Sequence, residues 1–402
     1  MSTPRWLIGL SCGTSGQGID AALVETTGVG LSITARHVAS LRRPFPREVQ
    51  ELFSPGISPP AAGLAHRVIG ETAVATVQQL CSQARVDPSR VLATGFLGPL
   101  QWHEPDGRLP STRELGMTSL VADRLGLTVV GDFREHDVAA GGQGMPLTAL
   151  VDSLLFRHAS EERLLIHLGG ISSVVYLPAG GRVQDVLAFE AGPCNHLLDS
   201  VIRQGTGGKE RFDAGGHHAV QGRCLEPLLT EWQRHAFLHC KPPKSLPRSD
   251  YGPDFIQEAV KRTAAHNGTL QDLLCSLSHH VIDCIVSACR RCLPAAEKRA
   301  VYLSGGGVRN GMLWRLLQQQ APEWKPARFE ELGVPAQARN ATVAAVLAAL
   351  TLDGVPASTP SATGAVGRLL GRLTPGGSMN WARCLHWMTE HCSELTLPYR
   401  AA

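Results

Sequence analysis

Aromatic residues make up only 5% of this 402-residue chain, too few to build a stacking surface for nucleic-acid bases. A net charge of +3 comes without any dense Lys/Arg block, so the electrostatic footprint of a nucleic-acid binder is missing as well. The longest apolar run, Ala341 to Leu352, is alanine-rich and well short of a membrane span. The stretch Trp6 to Leu10 is too short for a secretory signal and ends in a polar glycine turn. No low-complexity linker divides the chain. A composition 43% hydrophobic and 18% charged is that of a soluble globular protein, long enough for two cores and two domains. The 11 cysteines are odd in number and irregularly spaced, which predicts reduced thiols and a cytoplasmic protein. Cys284, Cys289 and Cys292 have a spacing known from some iron–sulfur sites, but they fall in a helical pattern over 270–293, where thiols pack as small apolar groups. Cys384, His386, His391 and Cys392 match no zinc signature.

The most informative stretch is Arg163 to Asp199. Apolar runs at 164–166, 171–177 and 186–189 predict three consecutive strands, broken by Gly169-Gly170 and by a turn at 179–181. The third strand ends on Glu190, followed by Gly192-Pro193 and a helix start at Cys194. A carboxylate at a strand end, beside glycines and above a helix N-terminus, suits phosphate chemistry, because glycine admits close backbone approach and the helix terminus favours anions. Residues 5–26 repeat the first half of this pattern around Gly13-Thr14-Ser15-Gly16-Gln17-Gly18. Two such hairpins predict two related sheet domains facing one ligand, although ordinary β-hairpins share these turns.

Further along, strands over 31–40, 91–96 and 127–133 and a helix over 61–84 complete an α/β pattern. Residues 97–117 read as a loop over a site. The segment from Asp132 to Pro146 is rich in charge and glycine, and its Arg134 suits a carboxylate or phosphate. A strand over 300–303 runs into Gly305-Gly306-Gly307 and Asn310 at a helix start, a setting for the adenosine end of a nucleotide. Residues 334–352 form the last strong helix, and beyond Pro375 no periodicity is visible.

In combination these segments resemble the anhydro-N-acetylmuramic acid kinase family, of the actin-like and hexokinase-like ATPases. The family start MSGTSLDGxDAAL is matched by Ser11 to Leu23, and DFRxxDxAAGGQGAPL by Asp132 to Leu147 with only Met145 changed. NIGGIAN corresponds to His167–Ser173, DTGPGN to Glu190–Asn195, PPKSTGRE to Pro242–Ser249, GGGxxN to Gly305–Asn310 and VTGA to Ala362–Ala365. The resemblance implies two actin-like ATPase (ribonuclease H-like) α/β domains around a central cleft. The first is expected at 1–130, completed by about 358–375, the second at 131–357, and an appendage at 376–402. It implies a homodimer that uses ATP and Mg²⁺ to open the 1,6-anhydro bond of a sugar and phosphorylate O6. Carried over by position, Glu190 is the base and Arg134 a substrate or transition-state contact. Nucleotide contacts fall on Gly13, Thr14, Ser15, Gly18, Gly169, Gly170, Gly192, Gly215, Gly216, Gly305, Gly306, Gly307 and Asn310. Sugar contacts fall on Asp137, His103, Arg134 and Asn195, and Asp20 holds the metal through water. The chain departs from the pattern at Gln17 and Glu190, both aspartate in the family, at Leu97-Gly98-Pro99-Leu100 for HGQT, and at Asn340-Ala341 for a Glu-Ala pair. The departures keep two alternatives open: a kinase for another anhydro or amino sugar, or an impaired nucleotide- or sugar-binding paralogue.

Overall fold

The computed structural model describes residues 4–392 apart from 14–15, 47–48, 50–56, 248 and 296–297. Strands β1 (Arg5–Cys12), β2 (Gly18–Thr27) and β3 (Thr34–Pro44) form an antiparallel meander. Helix α1 (Pro59–Ala84) opens with Ser58 accepting from the Ala61 N–H and two prolines in its first turn, and closes on Arg85 in the left-handed region. It leads to β4 (Val91–Leu97), parallel to β1. The hairpin β5 (Leu100–Glu104) and β6 (Ser111–Glu114) precedes β7 (Thr128–Gly131) and α2 (Phe133–Ala139). A second meander follows in β8 (Arg163–Leu168), β9 (Ile171–Leu177) and β10 (Leu187–Pro193). Helices α3 (Asn195–Gly205) and α4 (Leu270–Cys292) come next, then β11 (Ala300–Ser304), α5 (Gly311–Gln320) and β12 (Ala327–Arg328). The described chain ends with α6 (Arg339–Leu352), β13 (Arg372–Thr374) and α7 (Ser378–His391).

The two large sheets run β13-β7-β4-β1-β2-β3 and β10-β9-β8-β11-β12. Setting β13 aside, both read third, second, first, fourth, fifth in chain order, with the first three strands antiparallel and the last two parallel. This is the duplicated ribonuclease H-like order, built from the two hairpins visible in the sequence.

Helix α4 is long and apolar enough by length and composition to cross a membrane, but 83% of that window is buried inside the protein. Its Cys284 and Cys289 lie in the core. Alanine-rich α6 lies across β1 and β4 so closely that a Cβ on Gly9 would stand 1.7 Å from the Ala341 oxygen. Two expectations are corrected. Residues 97–117 are not simply a loop, because β5 and β6 pair within them. The segment past Pro375 contains α7, whose docked face sets Asn380 among Trp381, Cys384, Trp387 and Met388: Asn380 accepts from the Thr128 N–H at 2.7 Å and donates to the Leu92 carbonyl at 2.9 Å.

Candidate active site

The β1–β2 and β8–β9 turns meet at one cleft. Its larger chamber, about 210 Å³, is lined by Gly13, Gln17 and Gly18 from the first turn, Gly169 and Gly170 from the second, and Gly305 to Gly307 after β11. Gly305 has φ +87 and a Cβ there would sit 2.6 Å from the Leu168 oxygen, so only glycine fits this close approach. Asn310 caps α5 by accepting from the N–H groups of Met312 and Leu313, and its side chain also faces the chamber with Gly215. A second chamber of about 140 Å³ shares Ser11, Gly13, His167, Gly169, Gly170 and Asn340 with the first and adds Arg134 and Glu190. Two chambers joined at two glycine turns allow one ligand to hand a group to another across the turns.

Charged groups cluster on the wall of the larger chamber. Asp20 pairs with Arg42 at 3.5 Å, directly across the β2–β3 register. Gln17 accepts from Arg42 at 3.4 Å and donates to Asp199 at 3.3 Å, joining the two halves of the molecule. Burial pushes the Asp20 carboxyl up to about 6 and that of Asp199 to about 7, with Arg42 and Arg203 respectively opposing. At the junction, Asn340 Nδ2 lies 3.3 Å from His167 Nε2, and His167 Nδ1 lies 3.0 Å from Ser304 Oγ. An amide N–H can only donate, so Nε2 accepts and Nδ1 carries the proton. Burial holds this imidazole down to about 3, so it stays neutral.

In the smaller chamber Glu190 is 4% exposed, and its Oε2 accepts from the Leu246 N–H at 2.6 Å. Burial pushes its carboxyl up to about 7, opposed by that hydrogen bond and by Arg134 and Lys244. Arg134 is fixed by Glu114 at 2.6 Å and by the Gly98 carbonyl at 3.1 Å. The loop that carries Leu246 is itself pinned, since Ser245 meets Gln143 at 3.0 Å and His103 at 3.1 Å. A carboxyl raised to about 7 can exchange a proton near neutral pH, which suits the base expected at this position.

A model of the anhydro-N-acetylmuramic acid kinase family matches residues 5–376. The chain belongs to that family. It is 32% identical over 374 residues to the anhydro-N-acetylmuramic acid kinase of Caldanaerobacter subterraneus subsp. tengcongensis, covering 90% of this chain and 94% of that protein. It is 33% identical to the same kinase of Trichormus variabilis over 384 residues, 93% of this chain and 98% of that protein. Among solved structures, the activator of 2-hydroxyisocaproyl-CoA dehydratase from Clostridium difficile with bound ADPNP matches at 13% identity, 86% and 94% coverage, and a TM-score of 0.44. Family membership makes the chain an ATP-dependent phosphotransferase.

Within this kinase fold the expected site residues separate into two sets. Gly13, Gly18, Gly169, Gly170, Gly215, Gly305, Gly306, Gly307, Asn310, Asp20, Glu190 and Arg134 line the cleft. Thr14 and Ser15 lie outside the described residues. Asn195, expected at the sugar, lines the larger chamber instead and donates to the Leu168 carbonyl at 2.8 Å. Asp137 and His103 are fully buried and line neither chamber. Asp137 accepts from the Gly144 N–H and the Thr363 hydroxyl, both at 2.8 Å, and so holds the glycine loop. His103 sits between Thr112 and Ser245 at 3.1 Å from each. Gly192 is a packing glycine, where a Cβ would meet Cys284 at 2.8 Å, and Gly216 packs on Asn310 and Met312. The helix start at Cys194 also serves differently from expectation: the N–H groups of Cys194, Asn195 and His196 donate to the carbonyls of Gly169 and Gly170, so the terminus anchors the turn rather than an anion. Arg42, Asp199, Phe212 and Arg309 line the larger chamber without having been singled out. Asp199 was within reach, since it follows Asn195 by four residues on one helix face.

The residues present fit a magnesium ion. Asp20 lines the larger chamber, and its Oδ1 is a buried acceptor with no hydrogen-bond partner. Magnesium commonly takes one or two carboxylates, water and substrate phosphates.

Proposed function

We propose that the chain opens the 1,6-anhydro bond of 1,6-anhydro-N-acetylmuramic acid and phosphorylates O6, giving the 6-phosphate and ADP, as a step of cell-wall sugar recycling in the cytoplasm. The observation that carries this reading is a buried carboxylate, Glu190, held by the Leu246 N–H at 2.6 Å, in a chamber that shares its glycine turns with a larger neighbour lined by Gly305 to Gly307. ATP lies in the larger chamber with its phosphates on the Gly13–Gly18 and Gly169-Gly170 turns and its adenosine end toward Gly215, Phe212 and Asn310. Asp20 would hold a magnesium ion through water, and the ion would supply positive charge against the phosphate oxygens.

The sugar lies in the smaller chamber with its anomeric carbon toward Glu190. Ionised Glu190 takes a proton from water as the water oxygen bonds to the anomeric carbon. The bond from that carbon to O6 breaks with its electron pair going to O6, and O6 attacks the terminal phosphorus of ATP. ADP leaves, and the proton on Glu190 returns to solvent. Arg134, fixed by Glu114, supports charge on the reacting oxygens. Neutral His167 and Asn340, at the junction, present polar groups without adding a cation that would trap phosphate. Gln17 removes one carboxylate from the phosphate wall and ties Arg42 to Asp199 in its place.

We assign the domains as 1–130 completed by 358–375, 131–357, and the 376–402 appendage. Pairing of β13 with β7 supports this division, while α6 packs on the first sheet although it falls within 131–357. We also propose a homodimer, on family resemblance. The test of function is ADP release from ATP and Mg²⁺ with and without 1,6-anhydro-N-acetylmuramic acid. Sugar-dependent release that falls by at least about 10²-fold in Glu190→Gln is expected. ATP binding without sugar-dependent turnover would instead favour the impaired paralogue, a reading motivated by Gln17 and Asn340.

A further inference from the structure

A groove of about 710 Å³ lies outside the cleft, on the far side of the Glu114–Arg134 ion pair. It opens between the β5–β6 hairpin, the first turn of α2, β13 and the helix Thr118–Leu125. Glu114 belongs to its wall and Arg134 to the Glu190 chamber, and no residue lines both this groove and either chamber of the cleft. Small-molecule sites commonly enclose about 300–1,000 Å³, so the groove has room for a ligand of its own.

One part of the wall is aromatic. Of the chain's 7 tryptophans only Trp102 is exposed, at 42%. It stands opposite Arg113 across the hairpin, and that guanidinium lies 5.8 Å from its ring centroid. The remaining wall is polar and of mixed sign. Arg113 and Arg372 stand against Asp132 and Glu135, with Arg372 paired to Asp132. His66 adds a donor. Its Nδ1 accepts from the Gly116 N–H at 2.9 Å, and burial and Arg113 hold the imidazole below its usual range, so the neutral ring carries its proton on Nε2.

A phosphate or carboxylate placed here meets Asp132 and Glu135, and an ammonium group meets Arg113 and Arg372, so either sign of ligand charge is opposed on one side. A sugar hydroxyl both donates and accepts, and satisfies carboxylate and guanidinium alike without adding charge. The C–H face of a pyranose ring buries apolar area against an indole. We infer that the groove is a saccharide site separate from the catalytic chamber, and that it takes an uncharged oligosaccharide with one ring on Trp102 and hydroxyls on Arg113, Glu135 and His66. The larger chamber of the cleft has only about 210 Å³ against about 710 Å³ here, which favours a chain of sugar rings over a single one. Binding in the groove requires no turnover, so the site stands whether or not the chain is an active kinase.

The test is calorimetric titration of tri-N-acetylchitotriose and of cellotriose into the native protein and into Trp102→Ala, Glu135→Ala and Glu190→Gln. At least one of the two sugars is expected to bind, with affinity lower by at least about 10-fold in Trp102→Ala, lower in Glu135→Ala and unchanged in Glu190→Gln. Trp102 and Glu135 are exposed side chains that line neither chamber of the cleft. Thermal melts of both variants level with the native protein are expected, and separate lost binding from lost fold. Binding of neither sugar, binding that survives both groove variants, or binding lost in Glu190→Gln overturns the site while leaving the kinase reading intact. A dimer in light scattering that Trp102→Ala converts to monomer also overturns it, by giving the groove to a second copy of the chain. Absence of sugar-dependent ADP release overturns the kinase reading alone.

Discussion

Glu190 carries opposite demands at the scale of a single residue. Its carboxyl is pushed up from the ordinary 4.5 to about 7 by burial, and the proposed role as base needs the ionised form. The logarithm of kcat/KM is therefore expected to climb with unit slope as pH rises toward 7 and to level off above it. Stability runs the other way. A group whose folded value is raised contributes stability fully below its unfolded value near 4.5, and that contribution is lost as pH rises through about 7. Glu190→Gln keeps an acceptor for the Leu246 N–H and removes the buried charge. Thermal melts are expected to place the variant at least about 2 °C above the native protein at pH 8 and level with it near pH 4.5. A variant that melts lower at pH 8 would mean that Arg134 and Lys244 stabilise the carboxylate by more than burial costs it. Glu190 was singled out in the sequence as a strand-end carboxylate, but the strand runs on to Pro193, and Glu190 stands at an irregularity in the β9–β10 register between it and Gly192. The sites of Asp137 and His103 were not legible, because both are buried by partners over 100 residues away, Thr363 and Ser245.

Among the elements, α6 does the most to hold the cleft in place. It lies against β1 and β4 at glycines 9 and 95, where a Cβ would approach the carbonyl oxygens of Ala341 and Ala344 to 1.7 and 1.9 Å. Its first turn brings Asn340 to the junction of the two chambers. Gly95→Ala is expected to force the helix away from the sheet, at a cost of about 3 kcal/mol or more, visible as a lower midpoint in urea unfolding and a parallel loss of turnover. Gly63→Ala is the matched control, because nothing lies within 4 Å of a Cβ there and α1 gains about 0.5–1 kcal/mol from the exchange. Equal effects of the two substitutions would remove the close approach as their cause. The helical pattern of α6 was readable from its alanines, but which sheet it covers was not, as small residues match either. Helix α7 escaped notice because Asn380 and Cys384 occupy its buried face, where a reader of periodicity looks for leucine. The pairing of Asp20 with Arg42 depends on a register that the 28–33 connection sets, and the spacing of the two residues does not reveal it.

The whole molecule is two sheets of one topology whose cores merge around α6: Leu7 and Val24 of the first sheet and Leu164 and Ile166 of the second belong to a single buried cluster. Two buried ion pairs fasten distant parts of the chain into it, Arg5 with Asp353 and Arg339 with Asp152. The duplication was legible because each meander repeats the same strand, glycine turn, strand pattern. The division of labour proposed for the chambers was not, and Asn195 shows why: its motif neighbours Glu190, yet the helix start points its side chain toward Gly307 and the larger chamber. The central claim is that water opens the sugar at its anomeric carbon while O6 takes the phosphoryl group. Turnover in ¹⁸O-labelled water, followed by early mass spectrometry of the sugar phosphate, tests it most directly. The expected product carries one ¹⁸O on the sugar ring carbon and none on the phosphoryl group. Label on phosphate, or a phosphorylated sugar with no label, would contradict it.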